Sequence, residues 1–398
     1  MRFNNLIFSI FAVSALAACT KESTVDLPTP VPNDNTVVRT NITENTTWTA
    51  DQVWQLSGRI VVTNGATLTI EPGTLIKGEP GTGANASSLV IARDGHIVAE
   101  GTEDAPIIFT STADELTPAD IEVGVFVSPN LNATISGLWG GVIVLGEAPV
   151  SASNDAGDVS QVQIEGIPTS DPTGLYGGND PEDNSGILRY VSIRHGGANI
   201  GSGNEINGLT LGGVGRGTTV EHIEIVGNQD DGIEWFGGTV DVSHVVVWNA
   251  GDDAIDTDQG WSGTLDNFVV VAPQGHCFEL DGPEGTLVAG HTIRNGSVLA
   301  SCEVWESMDL INTDDNSRVV LEHIYFTGIR PGQTINRTAH QAGAVSFSDI
   351  YFDLTPDQVA AHINGAVPAG VQAADAPQAD LPELRWTWAN AAGALSIF

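Results

Sequence analysis

Carboxylates and one histidine recur at a nearly constant spacing in the middle of the chain. Three segments align with steps of 22 and 23 residues, and one apolar residue of each falls in a common column: Ile233, Ile255 and Phe278. Side chains of a strand alternate between its two faces, so if this column points inward the following residues point outward. The outward column is Glu234, Asp256 and Glu279. The turn before each strand adds Asp231, Asp253 and His276.

A column of stacked acids permits three interpretations. Equivalent residues on neighbouring strands lie about 4.8 Å apart, and two carboxylates at that distance repel by about 3.5 kcal/mol at an effective dielectric of about 20. In bulk water the repulsion falls below about 1 kcal/mol. A solvated column is therefore merely a charged face, whereas a covered column needs a bound cation or raised carboxyl pKa values. The third interpretation is a catalytic cluster.

Calcium is the natural ion for the cation interpretation, because it takes about six to eight oxygen ligands from carboxylates, carbonyls and water. The candidate ligands are Glu234, Asp256, Asp258, Glu279 and Asp281. Three aromatic residues near these acids are candidates for stacking on sugar rings, although such residues more often fill a core. They are Trp235, Trp248 and Trp261.

A repeat must position these residues. The third residue of a recurring tripeptide advances in steps of 32, 22, 23, 28 and 28, and falls at Tyr190, His222, His244, Asn267, Asn295 and His323. This period predicts an all-β solenoid, because one short group of strands cannot bury its apolar face until a neighbouring copy stacks on it. Exchange of His with Asn indicates a shared hydrogen-bonding role at a corner. Zinc binding is disfavoured because it needs three or four ligands in a closer cluster.

The chain divides into four parts. These are a signal peptide (1–18), a tether (19–40), a solenoid domain (41–354) and a C-terminal cap (355–398). Residues 41–56 are expected to cap the first rung, and residues 113–133 and 151–183 lack the strand rhythm and should protrude as loops.

The C-terminal part has a different composition. Residues 355–363 predict a short helix, because Thr355 is a good N-cap and proline follows it. Trp386 and Trp388 are expected to cover the last rung. Cys277 and Cys302 fall in different columns of the repeat, so two free thiols are favoured over a disulfide.

The N-terminus has the layout of a secretory signal. Arg2 precedes an apolar run over residues 6–15, which is too short to span a membrane in the mature protein. Residues 16–19 resemble the bacterial lipobox, which implies cleavage before Cys19 and lipidation of its thiol, with acyl chains such as palmitate supplying the membrane anchor. We therefore expect export by the general secretory route and a lipid anchor at the outer membrane or cell surface.

The formal net charge of −36 restricts the partners. Such a chain repels nucleic acid, anionic lipid and polyanionic glycans, and it attracts divalent cations. No nucleic-acid partner is expected, and we expect a monomer.

Five segments together resemble Bacteroidetes-type right-handed parallel β-helix lipoproteins. They are residues 65–78, 138–150, 176–197, 230–238 and 248–261. The resemblance extends over most of residues 41–398. It implies a right-handed parallel β-helix with terminal caps, and it implies no particular activity.

A second resemblance covers three rungs. Residues 229–232, 252–253 and 275–277 are similar in order and spacing to the motifs of polygalacturonase-type glycoside hydrolases, although Cys277 replaces a glycine. The resemblance implies that Asp253 is the general acid, that Asp231 and Asp252 hold the water, and that His276 tunes them. Inverting hydrolysis needs carboxyl groups about 6.5–9.5 Å apart. The acidity of the chain favours a neutral substrate.

Three functions remain open from the sequence. The favoured one is a non-catalytic surface module that contacts polysaccharide or another envelope component. The alternatives are an inverting hydrolase of a neutral polysaccharide and a structural protein stabilised by cations.

Overall fold

The computed structural model describes residues 36–199, 206–337 and 344–398, and most regular structure in them is β-strand. In chain order the strands are β1 (Val37–Val38), β2 (Thr46–Trp48), β3 (Val53–Leu56), β4 (Arg59–Val62), β5 (Thr67–Ile70), β6 (Leu75–Gly78), β7 (Ser88–Ile91), β8 (His96–Glu100), β9 (Ile107–Ser111), β10 (Val142–Leu145), β11 (Ala152–Asn154), β12 (Gly157–Val159), β13 (Val162–Gln163), β14 (Leu175–Tyr176), β15 (Gly186–Arg194), β16 (Leu209–Gly212), β17 (Thr219–Val226), β18 (Ile233–Phe236), β19 (Val242–Trp248), β20 (Ile255–Asp258), β21 (Thr264–Val271), β22 (His276–Leu280), β23 (His291–Leu299), β24 (Asp309–Thr313), β25 (Val319–Thr327), β26 (Val345–Phe352) and β27 (Val371–Ala373). The α-helices are α1 (Pro118–Glu122) and α2 (Trp388–Ala391), and the 3-10 helices are Gly83–Asn85, Pro172–Gly174, Val359–His362 and Leu381–Leu384. None of the helices in this part of the chain has the length and apolarity that crossing a bilayer requires.

Two large parallel sheets run along the molecule. The first has 15 strands, in the order β1-β3-β6-β9-β15-β17-β19-β21-β23-β25-β26-β27, with a second row β2-β5-β8 that also ends on β15. The second is 8-stranded, in the order β4-β7-β10-β16-β18-β20-β22-β24. Because the chain returns to each sheet in the same direction and adds a strand each time, it coils into a right-handed parallel β-helix. The predicted fold class is confirmed.

The long strands of the first sheet bend at the predicted corner. β15 pairs with β8 before Tyr190 and with β9 after it. Tyr190 and the equivalent residues of the following rungs all have a left-handed backbone conformation, with φ from 50° to 59°. They are Tyr190, His222, His244, Asn267, Asn295, His323 and Asp349. The repeat in the sequence therefore marks a backbone bend, which divides the first sheet into two faces. Together with the second sheet, these give each rung three faces.

Alternate strand residues from the three faces fill one continuous core. Ile233 of β18 stacks in register on Ile255 and Phe278, as the sequence alignment predicts. All three are fully buried, and burying a side chain of this size contributes about 1.5–3 kcal/mol. The stacked apolar columns therefore hold successive rungs together.

Two insertions interrupt the rungs where loops are expected. The first insertion (residues 113–133) contains α1 and packs Leu116 and Ile121 on the outside of the first sheet. Thr117 caps α1 through a capping box with Asp120. The second insertion (residues 151–183) contains the hairpins β11-β12 and β13-β14 and lies on the outside of the second sheet. Both sheets are therefore covered externally over part of their length.

The segment expected to cap the first rung is itself a rung. Ile42 bridges to Val62 in the second sheet, and β2 and β3 pair in parallel with β5 and β6. Trp48 is buried and stacks on Trp54, with ring centroids 5.4 Å apart.

The C-terminal part differs from the prediction in its local structure. The expected helix over residues 355–363 is a series of turns with the 3-10 helix Val359–His362. β27 then adds a final strand to the first sheet beside β26. The cap therefore begins with residues that continue the β-helix.

Residues 374–398, the C-terminal strap, run back along the outside of the first sheet. Trp386 packs on Tyr190 and Trp388 packs on Trp248, both on middle rungs. The expectation that these tryptophans cover the last rung is therefore wrong. The physical reason is that β19 and β21 are apolar on their outer face too, and the strap buries that surface.

Cys277 is buried and Cys302 is half-buried, and both are free thiols, as predicted. The signal peptide, Cys19 and most of the tether lie outside the described residues.

Candidate functional site

The outer face of the second sheet carries a column of side chains whose chemistry changes along the molecule. In register, from the N-terminal rung onward, they are Val61, Val90, Ile143, Thr210, Glu234, Asp256, Glu279 and Asn312. Neighbouring strands are about 4.8 Å apart, so each side chain lies against the next. The outward alignment of the three acids is as predicted, and the column continues beyond them as an amide.

The second insertion covers the first part of this column. Its Ile164 and Ile167 pack on the three apolar side chains at the N-terminal end. Burial raises the pKa of Glu234 well above its usual range, and Glu165 of the insertion adds to the shift. Glu234 is 5% exposed and Asp256 is 9% exposed. These two acids therefore do not form a solvated face.

Asp231, Glu234 and Asp256 form a buried acid cluster. One carboxylate oxygen from each lies within 4.8 Å of the others, and Asp231 is also buried. Burial is the largest cause that raises all three pKa values, and repulsion from neighbouring carboxylates raises them further. At neutral pH such a group either retains protons or binds a cation that neutralises it.

The oxygen atoms around the acid cluster fit a hard cation such as Ca²⁺. Asn207 Nδ2 donates to Glu234 Oε2 and lies 3.3 Å from Thr210 Oγ1. Asn207 Oδ1 is buried and has no hydrogen-bond partner among the described residues. Rotation of this amide would exchange its two ends and present Oδ1 to an ion, beside three carboxylates. Water would complete the about six to eight ligands that calcium takes.

Two further predicted ligands, Asp258 and Asp281, are half-buried and lie one step further along the same face. Burial, and then the charges of Asp281 and Glu284, raise the pKa of Asp258 to about 7. Burial also raises the pKa of Asp281. They extend the acidic region toward solvent but lie outside the acid cluster.

Asp253, His276 and Glu279 form a second group, the imidazole–carboxyl group. His276 Nδ1 lies 3.0 Å from Asp253 Oδ1 and 3.9 Å from Glu279 Oε1. Burial opposes ionisation of Asp253, but hydrogen bonds from His276 and Glu279 outweigh it and lower its pKa. Burial and the neighbouring Asp253 raise the pKa of Glu279 to about 8. At pH 7 Asp253 is therefore ionised and Glu279 is protonated.

The predicted catalytic residues lie near one another but not in one arrangement. Asp252 is exposed, and its carboxylate groups with those of Asp230 and Asp231, with one oxygen of each within 4.8 Å of the others. Asp253 is directed to His276 instead. Because the pKa of Asp253 is lowered, it is ionised at neutral pH and unsuited to the proton-donor role that the sequence resemblance implies.

The predicted sugar-stacking tryptophans do not face the acids. Trp235 alternates with Glu234 in β18 and points into the core, where it stacks on Trp261 with centroids 4.5 Å apart. Both rings are fully buried. Trp248 ends β19 in the first sheet and packs on Trp388. A role in sugar stacking is therefore wrong for Trp235 and Trp261, because neither ring has a face open to solvent.

Three amides near the acids were not identified from the sequence. Asn312 Nδ2 donates to Glu279 Oε1 at 3.0 Å, and Asn336 Nδ2 donates to Asn312 Oδ1. Extending the rung alignment by one further step of 33 residues would have placed Asn312 beside Glu279. Asn207 and Glu165 gave no comparable signal, because their positions depend on an irregular rung and an insertion.

Comparison with known proteins agrees with this architecture. Residues 40–380 match the family described as pectate-lyase-like β-helix domain. No curated protein and no solved structure matches the chain significantly. The match covers well over half of the sequence, and the parallel sheets described above supply the fold that it requires. The chain therefore belongs to the family of pectate-lyase-like β-helix domains.

Proposed function

We propose that the protein is a surface module of the bacterial envelope that binds a neutral polysaccharide along the second sheet. The observation that carries the proposal is a polar strip of four side chains on successive rungs: Glu279, Asn312, Asn336 and Asn364. The first three are half-buried and Asn364 is exposed. Amide and carboxyl groups both donate and accept hydrogen bonds, as sugar hydroxyls require. Membership of this family is compatible with a polysaccharide-related role.

The charge of the protein supports a neutral ligand over a polyuronide. A net charge of −36 repels anionic chains at long range. In the polar strip the protonated Glu279 and the asparagines add no negative charge at pH 7.

Affinity electrophoresis in gels that contain neutral polysaccharides tests the proposal. One polysaccharide should retard the wild type, while Asn312→Ala and Asn336→Ala should migrate as in a gel without polysaccharide. Asn45→Ala is the matched control, because Asn45 is exposed on the first rung, far from the polar strip. Equal retardation of the strip variants and the wild type would reject the site.

Hydrolysis of a neutral polysaccharide is a second candidate, and the pair Asp253 and Glu279 favours it. An ionised and a protonated carboxyl side by side can serve as nucleophile and general acid. One oxygen of each lies within 4.8 Å of the other, which is closer to the about 5–5.5 Å of retaining enzymes than to the about 6.5–9.5 Å of inverting ones. This spacing does not support inversion by this pair.

An assay for reducing ends separates the two candidates. A binding module retains the polysaccharide and releases no reducing sugar. Release that disappears in both Asp253→Asn and Glu279→Gln would establish hydrolysis and displace the binding proposal.

Export and lipid anchoring are supported by the N-terminal sequence alone, through Arg2, the apolar run over residues 6–15 and the lipobox that ends at Cys19. We expect the full chain to partition with the outer membrane and to incorporate labelled palmitate. Cys19→Ala should abolish both. Incorporation of label into that variant would contradict the anchor.

A further inference from the structure

A separate cluster of ligand-type side chains lies at the corner of the first sheet. His222 and His244 occupy consecutive corner positions, and their rings stack with centroids 4.3 Å apart and 1° between planes. Glu383 of the C-terminal strap places Oε2 3.4 Å from His222 Nε2. One ligand atom from each residue lies within 4.8 Å of the others. The cluster therefore joins two neighbouring rungs to a segment from the far end of the chain.

One imidazole nitrogen of this cluster lacks a partner. His222 is 7% exposed, yet its Nδ1 makes no hydrogen bond to any residue that the structure describes. Buried polar atoms of this kind are paired in most proteins, so an unpaired one calls for an explanation such as an ion. Among the described residues, the ring's hydrogen-bonding contact is the long one of Nε2 with Glu383 Oε2, at 3.4 Å. Either nitrogen can therefore serve as a metal ligand after a rotation of the ring.

The strap is fixed beside the cluster by the next corner residue. Asp380 N donates to Asn267 Oδ1 at 2.7 Å, and Asn267 Nδ2 donates to Asp380 O at 3.2 Å. These bonds lie three residues before Glu383. The backbone of the strap is thus fixed at the same corner, close to the carboxylate of Glu383. This lowers the entropic cost of bringing the three ligands together.

We propose that His222, His244 and Glu383 bind a transition-metal dication such as Zn²⁺, which ties the C-terminal strap to the corner of the first sheet. Two imidazoles and one carboxylate are a ligand set that zinc accepts, at about 2.0–2.2 Å from each donor atom, with water in a fourth position. Glu383 is exposed, so water reaches that position. The parallel rings must tilt toward each other, because an ion shared by both lies in both ring planes.

The ligand chemistry separates this site from the second-sheet groups. The acid cluster offers oxygen atoms alone, which suit calcium, whereas imidazole nitrogen suits zinc, nickel and copper. The imidazole–carboxyl group has one histidine, whose Nδ1 lies 3.0 Å from Asp253 Oδ1, whereas the corner cluster offers two imidazoles. Of the two histidine-containing groups found among the described residues, the corner cluster is therefore the better zinc site.

The corner backbone offers conservative variants for the test. Asn267 and Asn295 occupy the same corner with the same left-handed conformation, so His244→Asn removes a ligand and leaves the bend intact. Glu383→Gln removes the charge with little change of shape. His323→Asn is the matched control, because it loses a corner histidine whose neighbour is Asp349 instead of Glu383.

Isothermal titration of the EDTA-treated full chain with Zn²⁺ at pH 7.5 measures the site, and hydrogen exchange of residues 374–398 reports the strap. The wild type and His323→Asn should bind one equivalent and show slower strap exchange with zinc. Loss of an outer-shell partner costs about 10- to 100-fold in affinity, so loss of a direct ligand in His244→Asn or Glu383→Gln should cost at least about 100-fold.

Three results would overturn the proposal. They are a wild type that binds no Zn²⁺, binding that survives unchanged in His244→Asn or Glu383→Gln, and binding that is lost in His276→Asn instead. If zinc leaves the hydrogen-exchange rate of the strap in the wild type unchanged, the ion does not tie the strap to the corner.

Discussion

At the scale of the residue, backbone conformation explains a pattern that looked like side-chain chemistry. The exchange of His with Asn in the repeat predicted a hydrogen-bonded corner, and the corner is where the sequence placed it. Its basis is a left-handed backbone at every rung, which Asn, Asp and His tolerate better than most residues. The side-chain contacts of the corner residues differ from rung to rung. Asn267 is hydrogen-bonded to the strap, whereas the ring of His222 stacks between those of Tyr190 and His244. Spacing alone could locate the bend but could not distinguish these roles.

The left-handed corner should not tolerate a β-branched residue. His323 tests this, because it has φ of 51° and is exposed. His323→Val should lower the free energy of unfolding by about 1–3 kcal/mol, because a β-branched residue is strained in the left-handed region. Urea denaturation measures the change. His323→Asn should remain within about 0.5 kcal/mol of the wild type. A valine variant as stable as the asparagine variant would show that the bend does not demand a left-handed residue.

Replacement of Glu234 by glutamine should stabilise the protein, and the gain should increase with pH. Its pKa is raised in the folded state by burial and then by neighbouring acids, so above its ordinary pKa of 4.5 the unfolded chain loses a proton that the folded chain retains. Unfolding is therefore favoured as pH rises. Glu234→Gln removes this contribution and should raise the free energy of unfolding at pH 8 by about 1–3 kcal/mol, the usual cost of an uncompensated buried polar group, with a smaller gain at pH 5.

Denaturation of the variant and the wild type at both pH values gives this difference and cancels the other titrating groups. Glu122→Gln is the control, because Glu122 is exposed on α1. A gain for Glu234→Gln that is the same at pH 5 and pH 8 would contradict ionisation as its cause.

At the scale of the element, the sequence predicted which face the acids occupy but not that the face is covered. Strand alternation is local, and it places Glu234, Asp256 and Glu279 outward without any knowledge of the rest of the chain. The second insertion, which begins about 80 residues before Glu234, packs on the apolar part of the same face, and its Glu165 helps to raise the pKa of Glu234. No periodicity links an irregular segment to the surface on which it packs. The acidic column could thus be predicted, whereas its shifted pKa values could not.

The surface that the C-terminal strap covers is recognisable in the sequence of the strands beneath it. In β19 the consecutive residues Val245, Val246 and Val247 are all buried, so both faces of the strand are apolar. A strand with two apolar faces requires a cover on each. Applied to the first sheet, this rule predicts a covering segment on its outer face, where the strap places Leu384, Ala389 and Leu395.

Removal of Trp388 should release the strap without unfolding the β-helix. Trp388 packs on Trp248 and His195, and the guanidinium of Arg194 lies 5.0 Å from its ring centroid. Replacement of a buried tryptophan by alanine costs about 3–5 kcal/mol. Because the strap lies outside the core, Trp388→Ala should open it locally and expose the backbone at Arg385 to trypsin.

Mass spectrometry of a timed trypsin digest at native pH measures this cleavage. Trp388→Phe retains an aromatic ring and should be cut at Arg385 much more slowly than the alanine variant. Equal cleavage rates for the wild type and Trp388→Ala would mean that the strap is held by its other contacts, such as that of Ala389 N with Glu224 Oε1 at 2.9 Å.

At the scale of the whole molecule, a solenoid can accumulate charge that a compact domain could not easily carry. Each rung adds core contacts with its neighbours alone, so stability is roughly a sum over rungs, while the acids accumulate on the surface to a net charge of −36. Self-repulsion between exposed acids is screened by any salt. The acid cluster is different, because ions in solution cannot screen groups from which solvent is excluded. Repulsion between the exposed acids and repulsion within the acid cluster can therefore be distinguished by comparing monovalent with divalent cations.

Calcium should stabilise the protein beyond the effect of ionic strength. At pH 8 the wild type in CaCl₂ should melt at a higher temperature than in NaCl of equal ionic strength, because an ion bound to Asp231, Glu234 and Asp256 relieves repulsion that diffuse Na⁺ cannot reach. Asp256→Asn should lose this extra increment and keep the response to NaCl. Excess EDTA should return the wild type to its melting temperature in NaCl. Identical melting temperatures in the two salts would mean that the acid cluster binds no ion. Protons retained because of the raised pKa values would then be what relieves the repulsion between its carboxyl groups at neutral pH.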